Sequence, residues 1–240
     1  MREQNNIFQN EFAQENKPLQ HEAASEFMRN VFTNMGLALL LTGLTAWFVY
    51  QSEQLTSIFL GNQIIFYIVL FAPLGLVWYL GSRIHKMSLG QATTVFAIYS
   101  VVNGITFSTI FFAYSMGSIA NTFFITAGTF LSMVIVGYTT KVDLSKFSSI
   151  MYMALIGIVI SLIVNMFLQS ETFDYIISGI GVLLFCGLTA YDIQKLLVIG
   201  GQADPDTDGT RKIAIWGALQ LYLDFINLFL FLLRFFGSRD

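Results

Sequence analysis

Seven long apolar stretches dominate this chain of 240 residues. A bilayer core of about 30 Å is crossed by an α-helix of about twenty apolar residues. Only 11% of the residues are charged, whereas soluble domains carry roughly 25%. The sequence therefore predicts an all-α polytopic membrane protein, a bundle of seven transmembrane helices. Their approximate ranges are 31–50, 62–81, 90–114, 118–138, 149–168, 174–199 and 213–236.

Lysine and arginine residues are distributed unevenly around these spans. Arg234 lies at the end of the seventh span and Arg239 follows it. The first, third and fifth loops contain no lysine or arginine. Because cytoplasmic loops are enriched in positive residues, we expect a cytoplasmic N-terminus and an external C-terminus. The other ten lie in the N-terminal segment, in the remaining loops or at adjoining helix ends: Arg2, Lys17, Arg29, Arg83, Lys86, Lys141, Lys146, Lys195, Arg211 and Lys212.

The first thirty residues are polar and rich in glutamine, asparagine and glutamate. They lack the apolar core and the small-residue cleavage site of a secretory signal. We expect residues 1–30 to form a polar cytoplasmic tail and residues 31–238 to form the transmembrane domain.

Several kinds of site lack their essential residues. His21 and His85, the only histidines, fall outside the spans, which excludes an intramembrane Ser–His site. The chain has no zinc-binding cluster and no P-loop, and its seventh span has no lysine for a retinal Schiff base. It also lacks the basic cluster typical of nucleic-acid binding. We therefore expect a protein that is not an enzyme and has no cofactor.

Two aspartates lie inside apolar helices, where a carboxylate costs at least a few kcal/mol. Asp192 is near the end of the sixth span, and Asp224 is within the seventh. These spans are antiparallel neighbours, so both residues can face one pocket. Two charges about 4 Å apart repel by about 4 kcal/mol at an effective dielectric of about 20. We expect the pair to share one proton near neutral pH, and a Ca²⁺ ion can replace that proton.

Polar residues accompany the two aspartates. Gln220 and Asn227 share a helix face with Asp224, and Thr189 shares one with Asp192. Asn103 in the third span is a further member of this expected polar shell, although its segment also fits close packing between helices. In the structural alternative, each aspartate pairs with a nearby base such as Arg83 or Lys195 and fixes helix packing.

An acidic run precedes the seventh span. Asp204, Asp206, Asp208 and Gly209 match the first half of an EF-hand loop, but Ile215 stands where the bidentate glutamate is needed. The pattern favours a polar turn, with weak surface attraction of Ca²⁺ as the alternative. Arg234, at the other end of this span, is expected to extend to the membrane interface.

The last two spans carry a recognisable pattern. "TAYDIQKL" followed by "LYLDFINLFLFLLRFFG" resembles the C-terminal signature of the Bax inhibitor family, in its bacterial branch. "NGITFSTIF" and "KVDLSKF" are similar to further stretches of that family, and the resemblance covers residues 30–238.

The resemblance implies a bundle whose seventh helix is central, and a proton-sensitive Ca²⁺ leak governed by an aspartate pair that matches Asp192 and Asp224. It also implies an arginine latch on the sixth-helix aspartate, for which Arg83 is the match. Its interaction partners would then be the lipid bilayer, Ca²⁺ and protons, in a bacterial cytoplasmic membrane. Two alternatives stay open. One is a regulatory protein that binds a membrane-protein partner, such as a protease or stress-response component, and the other is a proton-coupled secondary transporter.

Overall fold

The computed structural model describes the backbone of residues 2–204 and 206–238, and the side chains of residues 21–204 and 206–238. Within these ranges the chain is helical and contains no strand. Its helices, in chain order, are α1 (Arg2–Gln51), α2 (Glu53–Phe59), α3 (Gln63–Arg83), α4 (Leu89–Phe107), α5 (Ile110–Ala113), α6 (Met116–Thr139), a 3-10 helix (Leu144–Phe147), α7 (Ser148–Leu168), α8 (Glu171–Gln202) and α9 (Asp208–Phe236).

Seven helical segments of the described chain are long and apolar enough to cross a membrane. They comprise α1 from His21 onward, α3, α4 with α5, α6, α7 with the preceding 3-10 helix, α8 and α9. Each overlaps one predicted stretch, so the predicted all-α, seven-span architecture is confirmed. The short helix α2 lies in the first loop and was not foreseen.

The first span starts earlier than the sequence pattern suggested. Helix α1 runs without a break from Arg2 to Gln51, and Phe27 and Met28 are each only 1% exposed. Phe27 packs over Gly200 of α8. The end of the predicted tail is therefore part of the bundle, while the side chains of its first twenty residues lie outside the described part.

Most helices of the bundle begin at a residue whose side chain caps them. The hydroxyl of Ser88 accepts a hydrogen bond from the backbone of Gln91, whose side chain accepts one from the backbone of Ser88. Such caps satisfy amide groups that the first helical turn leaves unpaired. A capped helix can therefore begin directly after a short connection. Single side-chain caps start α2, α3, α6, α8 and α9, at Ser52, Asn62, Ser115, Ser170 and Thr207.

Burial differs sharply between the spans. The most apolar windows of α8 and α9 are 56% and 67% buried, whereas those of α3 and α7 are 6% and 11% buried. Helix α9 packs mainly against α1, α4, α6 and α8. The exposed faces of α3 and α7 consist of large apolar residues, which suits contact with lipid. A seventh helix wrapped by all six others stays a prediction.

Candidate functional site

Helices α8 and α9 form an antiparallel pair whose register is set by two close contacts. A Cβ atom at Gly217 would lie 2.6 Å from Cδ2 of Leu196. A Cβ atom at Gly181 would lie 2.7 Å from two ring carbons of Phe231. These glycines let the two helices approach closely, and the resulting register places Asp192 and Asp224 on facing surfaces.

The carboxyl groups of Asp192 and Asp224 lie within hydrogen-bonding reach of each other. Both residues are buried, with exposed fractions of 7% and 5%. The Oδ2 atom of Asp224 has no hydrogen-bond partner among the described residues. Because ionised carboxylates only accept hydrogen bonds, this contact becomes a hydrogen bond only when one of the two groups carries a proton.

Neither aspartate of the pair forms an ion pair with a described residue. Lys195, one turn along α8, attracts Asp192 electrostatically but lies beyond ion-pair distance. The ion pairs among the described residues are elsewhere: Arg29–Glu26, Arg211–Asp206 and Arg234–Asp174. The structural alternative, in which each aspartate has its own base, therefore does not describe this structure. On α7, Tyr152 lies close enough to interact electrostatically with both carboxylates, a neighbour that the sequence did not reveal.

Arg83 lies apart from the pair. It is in the last turn of α3, its side chain is exposed, and it forms no ion pair with a described residue. Helix α3 packs mainly against α4, with a few contacts to α2. Arg83 and Asp192 thus form no ion pair in this structure, and the latch between them stays a prediction.

The residues of the expected polar shell form no hydrogen bond with the pair among the described residues. Thr189 donates to the carbonyl of Phe185 at 2.7 Å, and Asn227 donates to the carbonyl of Leu223 at 2.8 Å. Both bonds stay within the residue's own helix, as short polar side chains commonly do inside apolar helices. Gln220, which is partly buried, makes no hydrogen bond with a described residue.

Asn103 belongs to a second buried polar cluster. Its side chain lies beside Tyr99 and Tyr222, and its amide nitrogen has no hydrogen-bond partner among the described residues. The hydroxyl oxygens of Thr42 and Tyr222 are 2.8 Å apart, and Thr42 also approaches the carbonyl of Ser100 at 3.0 Å. Since that carbonyl can only accept, Thr42 donates to the backbone and Tyr222 donates to Thr42. This cluster ties α9 to α1 and α4.

The two polar sites lie on opposite sides of α9. Tyr222 and Asp224 are two residues apart, which is about 200° around a helix of about 3.6 residues per turn. The same short stretch of sequence therefore contacts α1 and α4 on one side and α8 on the other. The sequence pattern did not identify the cluster, because Thr42 and Tyr222 are 180 positions apart.

Replacement of Tyr222 by phenylalanine is expected to lower stability by about 1–3 kcal/mol, because Thr42 loses a buried hydroxyl partner. Thermal unfolding of the purified protein in detergent measures this change. Tyr79→Phe is the matched control, since the Tyr79 side chain is 45% exposed. Equal unfolding temperatures for the two variants would contradict a stabilising role for the cluster.

The ends of α9 have polar partners of their own. Arg234 pairs with Asp174 of α8 at 3.3 Å, so its charge is met within the protein and not only at the membrane interface.

At the other end of α9, the backbone amide of Asp206 donates to Asp204 at 3.1 Å, and the hydroxyl of Thr207 accepts from the amide of Thr210. The acidic run is therefore a polar turn that caps α9. No group of three or more His, Cys, Asp or Glu side chains with metal-binding geometry occurs among the described residues.

Comparison with known proteins gives a family for this chain. The family model described as "Inhibitor of apoptosis-promoting Bax1" matches residues 24–240. The inner membrane protein YbhL of Escherichia coli is 47% identical over 214 residues, which cover 89% of this chain and 92% of YbhL. A Borreliella burgdorferi protein is 41% identical over 90% of this chain and 93% of its own length. A Streptococcus pyogenes membrane protein is 34% identical over 90% of this chain and 94% of its own length. The resemblance seen in the last two spans is thus confirmed across the whole transmembrane domain, and the chain belongs to the Bax inhibitor family, in its bacterial branch.

Proposed function

We propose that this protein is a passive Ca²⁺ leak channel of the bacterial cytoplasmic membrane and that the aspartate pair makes the leak sensitive to protons. The observation that carries this proposal is the direct approach of two buried carboxyl groups, Asp192 and Asp224, neither of which forms an ion pair with a described residue. Intramembrane carboxylates are costly and typically mark ion or proton pathways.

The chemistry of the pair suits competition between a proton and a divalent cation. Ca²⁺ prefers carboxylate and carbonyl oxygens, and the pair presents four carboxylate oxygens when it is fully ionised. A bound proton removes part of that charge and weakens the attraction for the cation. Conduction requires sites that are weak enough to release the ion, and a two-carboxylate site completed by water meets this requirement.

Control of the leak needs two states that differ in their affinity for protons or Ca²⁺. In our proposal, the pair faces a closed path in one state, and Arg83 engages Asp192 in another. Arg83, which forms no ion pair with Asp192, is exposed on the side of the basic loops. A shift of α3, the least buried span, would be needed to bring the two residues together.

The orientation in the membrane follows from the same proposal. The basic residues of the N-terminal segment and of the second, fourth and sixth loops favour the cytoplasmic side. The related Escherichia coli protein is named as an inner membrane protein, which supports the cytoplasmic membrane as the location of this chain. Arg234 and Asp174 then lie near the outer surface.

The direct test is Ca²⁺ entry into proteoliposomes that contain a trapped Ca²⁺ indicator. We expect entry that follows the Ca²⁺ gradient, exceeds that of protein-free vesicles and changes with pH when no proton gradient is applied. Entry equal to that of protein-free vesicles would contradict the leak. Saturable uptake that requires a proton gradient would instead support a secondary transporter.

A regulatory role is the second candidate, because α1 continues as a helix beyond its membrane span toward Arg2. An extended helix of this kind offers a surface for a membrane-protein partner. Removal of residues 1–20 separates the two functions, whereas a longer deletion would remove Phe27 and Met28 from the core. The leak should survive the shorter deletion, and a partner-binding function should be lost.

A further inference from the structure

A cavity of about 630 Å³ lies beside α8 at the connection between α6 and α7. Its lining includes Lys141, Ser145, Tyr191, Gln194 and Lys195, and we call it the α6–α7 pocket. It is separate from the aspartate pair, whose members do not line it. The connection also lies on the side of the bundle that carries most of the basic residues.

One side chain holds the walls of this pocket together. The amide oxygen of Gln194 accepts a hydrogen bond from the backbone amide of Leu144 at 2.8 Å, and its amide nitrogen donates to the carbonyl of Val142 at 2.9 Å. Two bonds from one rigid amide group fix the connection to α8. The pocket is therefore formed before any ligand arrives, which lowers the entropy cost of binding.

The pocket has two lysines that form no ion pair with a described residue. Lys141 and Lys195 both line it, and neither forms an ion pair with a described residue. Asp143 lines it as well, but two hydrogen bonds from Ser145 already engage its carboxylate. Those bonds hold the pKa of Asp143 below its usual range. Lys146 lies beside this carboxylate and offsets part of its charge. Asp192 attracts Lys195 without forming an ion pair, so both lysines can still meet an external anion.

Apolar side chains are exposed next to the charged pocket. Val142, Phe147 and Val198 are 55%, 48% and 57% exposed. In a membrane protein such side chains lie against acyl chains, while lysines reach into the headgroup layer. The pocket therefore combines, within a few residues, the two chemistries that an anionic phospholipid presents.

We propose that the α6–α7 pocket binds the phosphate headgroup of an anionic phospholipid. Lys141 and Lys195 contact the phosphate, and the hydroxyl of Tyr191 is available to donate a hydrogen bond to it. The acyl chains then run along Val142, Phe147 and Val198. Basic pockets between transmembrane helices are known to hold lipid headgroups. This inference concerns lipid binding alone and does not depend on Ca²⁺ conduction.

Native mass spectrometry of the full chain, released from nanodiscs of mixed phosphatidylglycerol and phosphatidylcholine, tests the proposal. We expect the protein to retain phosphatidylglycerol in preference to phosphatidylcholine. The double variant Lys141→Gln/Lys195→Gln should bind phosphatidylglycerol about thirtyfold more weakly, since each lysine near an anionic headgroup contributes about fivefold in affinity. Gln194→Ala, which frees the connection, should weaken binding to a smaller degree.

Lys86→Gln is the matched control, because Lys86 is an exposed lysine of another loop and lies outside the pocket. It should leave retention unchanged. An equal loss in the control and the double variant would overturn the site in favour of general surface attraction, as would unchanged retention in the double variant. In a second measurement, soluble glycerol phosphate should fail to displace the lipid. Displacement at equal affinity would overturn the lipid assignment in favour of a free phosphate ligand.

Discussion

Replacement of Asp224 by asparagine is expected to abolish the pH dependence of Ca²⁺ entry into proteoliposomes. Asparagine has nearly the same shape but cannot ionise, and its amide group can donate to Asp192 as a protonated carboxyl would. The repulsion of about 4 kcal/mol that makes two close carboxylates share a proton is then absent. A single controlling proton changes flux by at most about tenfold per pH unit, and this slope should disappear in the variant.

The matched control is Asp208→Asn, which removes an exposed carboxylate from the first turn of the same helix. Its flux should follow the wild-type pH profile. The proposed mechanism would be refuted by a profile in Asp224→Asn that titrates as the wild type does. Asp192→Asn provides a reciprocal measurement and should flatten the profile as well, because the proton belongs to the pair and not to one residue.

Replacement of Gly137 by alanine is expected to destabilise the bundle by about 1–3 kcal/mol, the usual cost of overpacking. Gly137 lies where α6 meets α8. A Cβ atom there would lie 2.8 Å from the backbone oxygen of Ala190 and 2.8 Å from Cβ of Ile193. Neither atom is the flexible end of a side chain, so α6 and α8 must move apart. Thermal unfolding in detergent measures the loss of stability.

Gly128→Ala in the same helix controls for the change in helix propensity. A Cβ atom at Gly128 meets nothing within 4 Å, so this variant should be neutral or slightly stabilising. Equal unfolding temperatures for the two variants would show that the α6–α8 contact relaxes without cost. Because Ala190 and Ile193 flank Asp192 in sequence, Gly137→Ala should also disturb the pH profile of Ca²⁺ entry.

The number and approximate bounds of the spans could be predicted from the sequence because lipid imposes a simple rule. Each crossing helix needs about twenty apolar residues, and polar segments such as "GGQADPDTDGTRK" separate these stretches. The start of α1 was harder to place, since Phe27 and Met28 sit among polar residues, and Phe27 packs where Gly200 of α8 makes room for it. That contact joins distant parts of the chain and has no local pattern.

The aspartate pair was also predictable, because each carboxylate stands out in an apolar helix and the two helices follow each other in the chain. The hydrogen bonds of the nearby polar residues could not be predicted in the same way. Side-chain spacing predicts that Thr189 and Asn227 share helix faces with the aspartates, but their hydrogen atoms go to carbonyls of their own helices. Asn103 joins the tyrosine cluster instead, and the bonds of Gln194 depend on the shape of a connection 50 residues away.

The opposed polar faces of α9 limit how this helix can rotate against its neighbours. Tyr222 anchors one face to Thr42 of α1, and a rigid helix cannot turn Asp224 away from α8 without breaking that anchor. A rotation of α9 that separates the two carboxyl groups therefore carries the cost of a buried hydrogen bond. The hydroxyl of Tyr222 thereby helps to hold Asp224 against α8.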